Sequence, residues 1–148
     1  MNGGLQFLGT SGQNIHDIRQ FANLAPKDLP EAELTLDIMH QTLEMRHICP
    51  TAPDTLRAFP YVDSDPFVVH QAPHVYFAGN QEAYGERLIS SNVTTCKQAV
   101  KILSVPIFRK TKSIVILDVT SLQSYEIKFD ISNGIMPTRD SAMEMDQA

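Results

Sequence analysis

The residues best placed to do chemistry form a glycine-framed polar turn over residues 9–14, with the sequence Gly-Thr-Ser-Gly-Gln-Asn. Apolar residues typical of a strand end precede this turn, and apolar residues at helical spacing follow it. We therefore predict a short buried strand, then the turn, then a helix capped by Asn14. Such a junction exposes backbone N–H groups and the positive end of a helix, which suits an anion. The turn lacks the lysine of the nucleotide-binding P-loop and is one residue short of the Gly-x-Ser-x-Gly nucleophile elbow.

Other candidate catalytic side chains have no partner that the sequence can place. Ser11 as a nucleophile would need a general base within hydrogen-bond reach. His40 and His47 are seven residues apart on one predicted helix, and His70 and His74 flank a proline turn. Neither histidine pair has carboxylates at a matching offset, so we expect exposed or capping histidines rather than a metal site, which stays the alternative.

The composition indicates one intracellular globular domain. The chain has 148 residues, 43% of them hydrophobic and 20% charged, with no apolar run long enough to span a membrane and no signal segment. Cys49 and Cys96 are expected to be reduced thiols. A net charge of −5 argues against an autonomous nucleic-acid binder. The basic cluster at residues 109–112 is predicted to be a hairpin tip charged for solubility, with phosphate contact as the alternative.

The patterns predict two N-terminal helices followed by a mostly antiparallel sheet. The second helix should run over residues 30–46, followed by a proline-rich loop over residues 47–66 that packs as a lid across one edge of the sheet. Strands are predicted at 67–69, 74–78, 100–108, 113–119 and 125–129. Pro106 places the third of these at an edge or a bulge, and the last three should form a meander whose central strand, 113–119, is covered on both faces.

The predicted domain covers residues 1–130, and residues 131–148 are expected to be a disordered tail. The strands have the apolar character of a covered sheet, but the chain offers too few elements to cover them. We therefore expect a part of a larger domain.

Four sequence blocks carry a resemblance to a known family. Residues 7–14 (FLGTSGQN), 46–56 (RHICPTAPDTL), 65–67 (DPF) and 73–80 (PHVYFAGN) resemble, in order and spacing, the family of small (B) subunits of eukaryotic DNA polymerase delta. The similarity spans about residues 5–130. It implies an α/β fold, with this chain as the C-terminal half of a calcineurin-like phosphoesterase domain that accompanies an oligonucleotide/oligosaccharide-binding domain.

The resemblance also implies that the chain is not an enzyme. Active phosphoesterases of this superfamily hold two metal ions through Asp, Asn and His ligands. By position, one histidine ligand is replaced here by Ser11, and the Gly-His-x-His turn reads Gly-Asn-Gln-Glu, with Asn80 and Glu82 at the histidine positions. The resemblance therefore implies a degenerate phosphoesterase with no catalytic residues, bound metal or cofactor.

What the resemblance implies instead is a nuclear accessory subunit for DNA replication and repair synthesis. Such a subunit connects the C-terminal region of the catalytic subunit to the third subunit, and meets DNA only indirectly. Because aromatic and arginine side chains are enriched at binding hot spots, our candidate interface residues are Phe59 and Tyr61 in the lid, and Tyr84 and Arg87 in a later loop. The alternatives are a metal-dependent phosphoesterase or nuclease with a rearranged site, and a truncated product without independent function.

Overall fold

The computed structural model describes residues 4–21, 29–90, 98–129 and 137–139, and within these ranges the chain has a mixed α/β fold. The N-terminal elements are β1 (Phe7–Thr10), α1 (Gln13–Phe21) and α2 (Glu31–Glu44). The remaining elements are β2 (Val75–Gln81), β3 (Gly85–Ile89), β4 (Val100–Pro106), α3 (Phe108–Thr111), β5 (Ser113–Leu117), β6 (Ser124–Phe129) and β7 (Pro137–Arg139). The predicted α/β class and both N-terminal helices are confirmed.

Two sheets organise these elements. The first has the strand order β1-β2-β4-β3, with β1, β2 and β4 parallel and β3 antiparallel to β4. The second has the order β5-β6-β7 and is antiparallel. Antiparallel pairing thus predominates outside β1, β2 and β4. Because these three strands are parallel, their carboxyl ends lie at the same edge of the first sheet.

The core lies between the two long helices and the first sheet. Apolar residues at helical spacing on α2, including Leu36 and Met39, are buried together with Ile15 of α1. Tyr76 on β2 and its paired neighbour Ile102 on β4 belong to the same cluster and are fully buried. Each such side chain adds about 1.5–3 kcal/mol to the stability of the fold through burial of apolar surface.

The predicted meander is wrong, because β4 lies inside the first sheet and β5 belongs to the second. Pro106 ends β4, and the β2–β4 register shifts near it, between Ala78 and Gln81. The missing N–H of proline is thus accommodated at an irregularity rather than at a sheet edge. The coverage predicted for both faces of β5 is also wrong, since Ile114 and Ile116 are 39% and 46% exposed.

Other boundaries differ for local reasons. The strand predicted at 67–69 is reduced to a single bridge between Val68 and His47, and the strand β3 was not predicted. The basic cluster at 109–112 lies largely in the helical turn α3 rather than in a hairpin tip. The first strand is less buried than expected, because Phe7 is half exposed on β1, which lies at the end of the strand order of the first sheet as described.

Residues 137–139 pair with β6, so the second sheet extends past the boundary predicted at residue 130. The rest of the predicted tail and Cys96 lie outside the described residues. Cys49 is a free, buried thiol. A membrane-spanning helix is absent from the part of the chain that the structure describes.

Candidate functional site

Ser11, Asn80 and Glu82 line one cavity, which we call the strand-end crevice, at the carboxyl ends of β1 and β2. The cavity has a volume of about 670 Å³. Its shape depends on Gly12, which has a φ of +87° and lies so close to β2 that an added Cβ would be 2.0 Å from the carbonyl oxygen of Gly79. Only glycine fits this position, because any side chain would collide with backbone.

Two polar side chains of the crevice, Asn80 and Glu82, are engaged within the molecule. The Asn80 side-chain amide donates a hydrogen bond to the Ser11 carbonyl oxygen at 3.1 Å. The ammonium of Lys110 donates to both carboxylate oxygens of Glu82, at 2.9 and 3.1 Å. This hydrogen bond and the positive charge of Lys110 hold the pKa of Glu82 below its usual value.

The donor set of the crevice does not fit the dinuclear metal centre of active phosphoesterases. Among the described residues, no three His, Cys, Asp or Glu side chains converge to hold a metal ion. Glu82 faces an ammonium group, and the Asn80 amide is oriented by its bond to Ser11. We therefore derive no metal-dependent step at these positions.

Two histidines that were considered as ligands make structural hydrogen bonds instead. The Nδ1 atom of His47 accepts from the backbone N–H of Cys49 at 3.3 Å, and its Nε2 lies 3.0 Å from Asp65 Oδ2. The Nδ1 atom of His74 accepts from the backbone N–H of Gln6 at 3.0 Å. Each Nδ1 accepts a hydrogen bond, so a ring proton is carried by Nε2 in this arrangement.

The start of the proline-rich segment is fastened to α1. Asn14, predicted as a cap, is instead buried inside α1, where its amide donates to the Ile48 carbonyl oxygen at 2.7 Å. Asp17 accepts hydrogen bonds from the hydroxyls of Thr51 and Thr55, the latter at 2.6 Å. These bonds lower the pKa of Asp17. Sequence reasoning missed this contact, because the partners are 34 and 38 residues from Asp17.

The end of the segment is fastened to the C-terminal end of α2. The Ile48 N–H donates to the Phe67 carbonyl oxygen at 3.0 Å, and the Val69 N–H donates to the Arg46 carbonyl oxygen at 2.8 Å. Residues 66–71 and β1 also line a common cavity of about 380 Å³. Of the predicted lid, only Ile48 and Pro66 line this cavity, and the other residues beside β1 follow the lid in the chain.

Between these two attachments the segment encloses an apolar cavity of about 450 Å³, which we call the proline-rich groove. It is lined by Ala52, Pro53, Ala58, Phe59, Pro60, Tyr61, Asp65, Pro66 and Phe67. Its tip is not packed as a lid should be: Phe59, Tyr61 and Val62 are 88%, 63% and 98% exposed. Large apolar side chains left this open are typical of a surface that another chain covers.

Tyr84 and Arg87, the other two candidate interface residues, make contacts inside the molecule. The Tyr84 hydroxyl donates to the Ser124 carbonyl oxygen at 3.1 Å and lies 3.0 Å from a Glu86 carboxylate oxygen. Burial, with Glu86 nearby, raises the pKa of Tyr84 to about 12. Arg87 lies on β3 rather than in a loop, and it donates to Asp37 at 2.7 Å and Glu33 at 2.6 Å. An interface role for these residues stays a prediction.

Comparisons with known proteins agree on one family. The model of the family of DNA polymerase alpha/epsilon B subunits matches residues 2–86, more than half of the chain. The chain is 39% identical over 125 residues to the DNA polymerase delta small subunit of Arabidopsis thaliana, covering 84% of this chain and 26% of that protein.

Two further relatives carry the same name. The DNA polymerase delta small subunit of Oryza sativa is 37% identical over 128 residues (86% of this chain, 27% of the relative), and that of Saccharomyces cerevisiae is 36% identical over 144 residues (86% and 28%). The chain thus spans about a quarter of the length of these relatives. The family match runs from β1 through α1, α2 and β2 to the first residues of β3, and it includes Ser11, Asn80 and Glu82 of the strand-end crevice. The chain belongs to the family of DNA polymerase alpha/epsilon B subunits.

Proposed function

We propose that this chain acts as a non-catalytic accessory subunit of DNA polymerase delta. The observation that carries the proposal is the similarity of most of the chain to proteins named DNA polymerase delta small subunits in two plants and a yeast. Its work is then in the nucleus, in DNA replication and repair synthesis. It binds the C-terminal region of the catalytic subunit and the third subunit.

The proline-rich groove is the surface we assign to this binding. Phe59 and Tyr61 supply large apolar area at its rim, and side chains of this type dominate the energetics of protein interfaces. The net charge of −5 supports protein partners, with DNA contacted only through them.

Replacement of both groove aromatics by alanine tests this assignment. The full chain and its F59A/Y61A variant are compared for capture of the catalytic subunit's C-terminal region and of the third subunit. We expect at least about a tenfold loss of affinity for one of the two partners. The control is Phe21→Ala, which removes another aromatic that is 57% exposed, from α1. If the unaltered chain, F59A/Y61A and Phe21→Ala all captured both partners equally well, the assignment would be contradicted.

The absence of catalysis follows in our proposal from how the crevice uses its polar groups. Glu82 is paired with Lys110, and the side-chain N–H of Asn80 donates to the Ser11 carbonyl oxygen. Calorimetric titration with manganese or zinc, followed by an assay on a generic phosphodiester, tests this part. Stoichiometric metal binding with turnover, lost in an Asn80→Ala variant, would establish the enzyme instead.

A further inference from the structure

We infer that the proline-rich groove binds an extended partner segment in which an apolar side chain is flanked by lysine or arginine. This inference rests on the proposed function, since it specifies the chemistry of the partner that the accessory subunit holds. Three features of the groove carry it: its fixed walls, its size and its charge.

The walls of the groove are held before any partner arrives. One wall is tied to α1 by the hydrogen bonds of Thr51 and Thr55 to Asp17. The other is tied through Asp65, which accepts from the Phe67 N–H at 2.8 Å and lies 3.0 Å from the His47 ring nitrogen. A groove that is already ordered loses little conformational freedom on binding, which favours affinity.

The size of the groove suits an extended segment better than a helix. A volume of about 450 Å³ is near the lower end for ligand pockets and holds one or two side chains. A helical partner would instead anchor through side chains at i, i+3, i+4 and i+7 along a longer trough. Aromatic and proline walls are also the common surface for extended, proline-type segments, which pack flat against rings.

The charge of the groove selects the flanks of the segment. Residues 52–67 contain three carboxylates, Asp54, Asp63 and Asp65, and one cation, Arg57. Asp65 is hydrogen-bonded to the His47 ring, whereas Asp54 and Asp63 are exposed and make no ion pair within the described ranges. Asp54 follows the lining residue Pro53, and Asp63 lies between the lining residues Tyr61 and Asp65. The segment that forms the groove therefore carries uncompensated negative charge next to an apolar cavity, and we call these two carboxylates the rim. A basic flank is attracted to such a rim, and an acidic segment or DNA is repelled.

Neutralising the rim tests the charge requirement. Binding of the full chain to the catalytic subunit's C-terminal region and to the third subunit is measured at low and high salt. For the D54N/D63N variant we expect about a tenfold weaker association at low salt and a smaller dependence on salt. The matched control is E31Q/E44Q, which removes two exposed charges from α2 that take part in surface pairs of little energetic consequence.

The outcomes separate this inference from the function on which it rests. Failure of the unaltered chain to bind either partner would overturn the accessory-subunit proposal, and the inference with it. A different result would overturn only the basic-flank inference and keep the function. In that result F59A/Y61A binds the partner more weakly, whereas D54N/D63N binds it as tightly as the control E31Q/E44Q does.

Cross-linking identifies the bound segment directly. Val62 is 98% exposed at the tip, so it can be replaced by the photoreactive residue p-benzoylphenylalanine without disturbing the core. After irradiation of the complex, mass spectrometry should find a partner segment with lysine or arginine within about three residues of the cross-linked site, within reach of the rim carboxylates. An acidic segment, or one that is helical in the complex, would overturn the inference.

Discussion

The strand-end crevice and the proline-rich groove are both concave surfaces of this chain. They differ in whether their key side chains have partners inside the molecule. In the crevice, Asn80 and Glu82 find partners inside the molecule. At the tip of the segment that forms the groove, Phe59 and Val62 are left almost wholly to solvent. A polar surface whose groups are satisfied is stable by itself, whereas an exposed apolar one becomes stable when another chain covers it. This contrast is the reason for our proposal that the groove, rather than the crevice, binds partners.

The largest expected effect is on the crevice side, at Gly12. A Gly12→Val variant should lose more than about 4 kcal/mol of unfolding free energy, or fail to fold, because it combines a positive φ with a backbone collision. Chemical denaturation measures the loss. The control is Gly4→Ala, where an added Cβ meets nothing within 4 Å and stability should not change. A stable Gly12→Val protein would show that the crevice is pliable and not part of the scaffold.

The next effect compares the core directly with the groove tip. Leu36→Ala should cost about 3 kcal/mol, because the side chain is 1% exposed and leaves a cavity beneath α2. Val62→Ala, at a residue that is 98% exposed, should change unfolding free energy by less than about 0.5 kcal/mol. Comparable losses in the two variants would mean that the tip is packed in solution.

A smaller effect is expected where the groove is fastened to the core. Asp17→Ala should cost about 2 kcal/mol and speed amide hydrogen exchange over residues 48–57, because two threonine hydroxyls lose their acceptor. Asp54→Ala, which removes an exposed carboxylate from the same segment, is the control. Unchanged hydrogen exchange in Asp17→Ala would show that the groove is ordered without this contact.

The same contact makes a prediction about pH. The pKa of Asp17 is lower in the folded chain than its ordinary value. Its stabilisation is therefore fully present above about pH 3.9 and lost as the pH falls through the lower folded-state pKa. Asp17→Ala should show a smaller loss of stability than the unaltered chain over this acidic window, as followed by denaturation at a series of pH values.

The smallest effect concerns Tyr84, which joins the two sheets. Tyr84→Phe should cost about 1 kcal/mol through the lost hydrogen bonds. Since the folded-state pKa is raised to about 12, the unaltered chain should lose stability between about pH 10 and that value, and Tyr84→Phe should not share this loss. Absorbance titration of the phenolate checks the raised pKa, and denaturation at a series of pH values checks the loss of stability. Tyr61→Phe is the control for an exposed hydroxyl.

Periodic patterns of apolar residues predicted the elements that make up the core. They failed where the position of a strand depends on the neighbouring strand with which it pairs. The apolar spacing of α2 and the alternation of β6 are local properties, so both were found. The sequence of β3, Gly-Glu-Arg-Leu-Ile, has no β-branched run, and it forms a strand because β4 is available beside it. Pro106 predicted either an edge or a bulge for β4; the irregular register with β2 agrees with the bulge, and it allows the central position that the predicted meander had excluded.

The candidate site was predictable in part. The resemblance named Ser11, Asn80 and Glu82, and the structure brings these three residues to one cavity. The proline content of residues 47–66 indicated an ordered loop with a function, and its exposed aromatics followed from the same stretch. The contacts of Asp17, Asp65 and Arg87 could not be predicted, because their partners are distant in the chain.

The sequence by itself determined the α/β class, the glycine turn at residues 9–12 and the position of the proline-rich segment, since each depends on neighbours a few residues apart. Only the tertiary structure decided that Asn80 and Glu82 have partners inside the molecule and that the groove aromatics are exposed. The reason is physical: hydrogen bonds and exposure depend on which distant segments meet, and that is set by strand order and helix packing rather than by local preference.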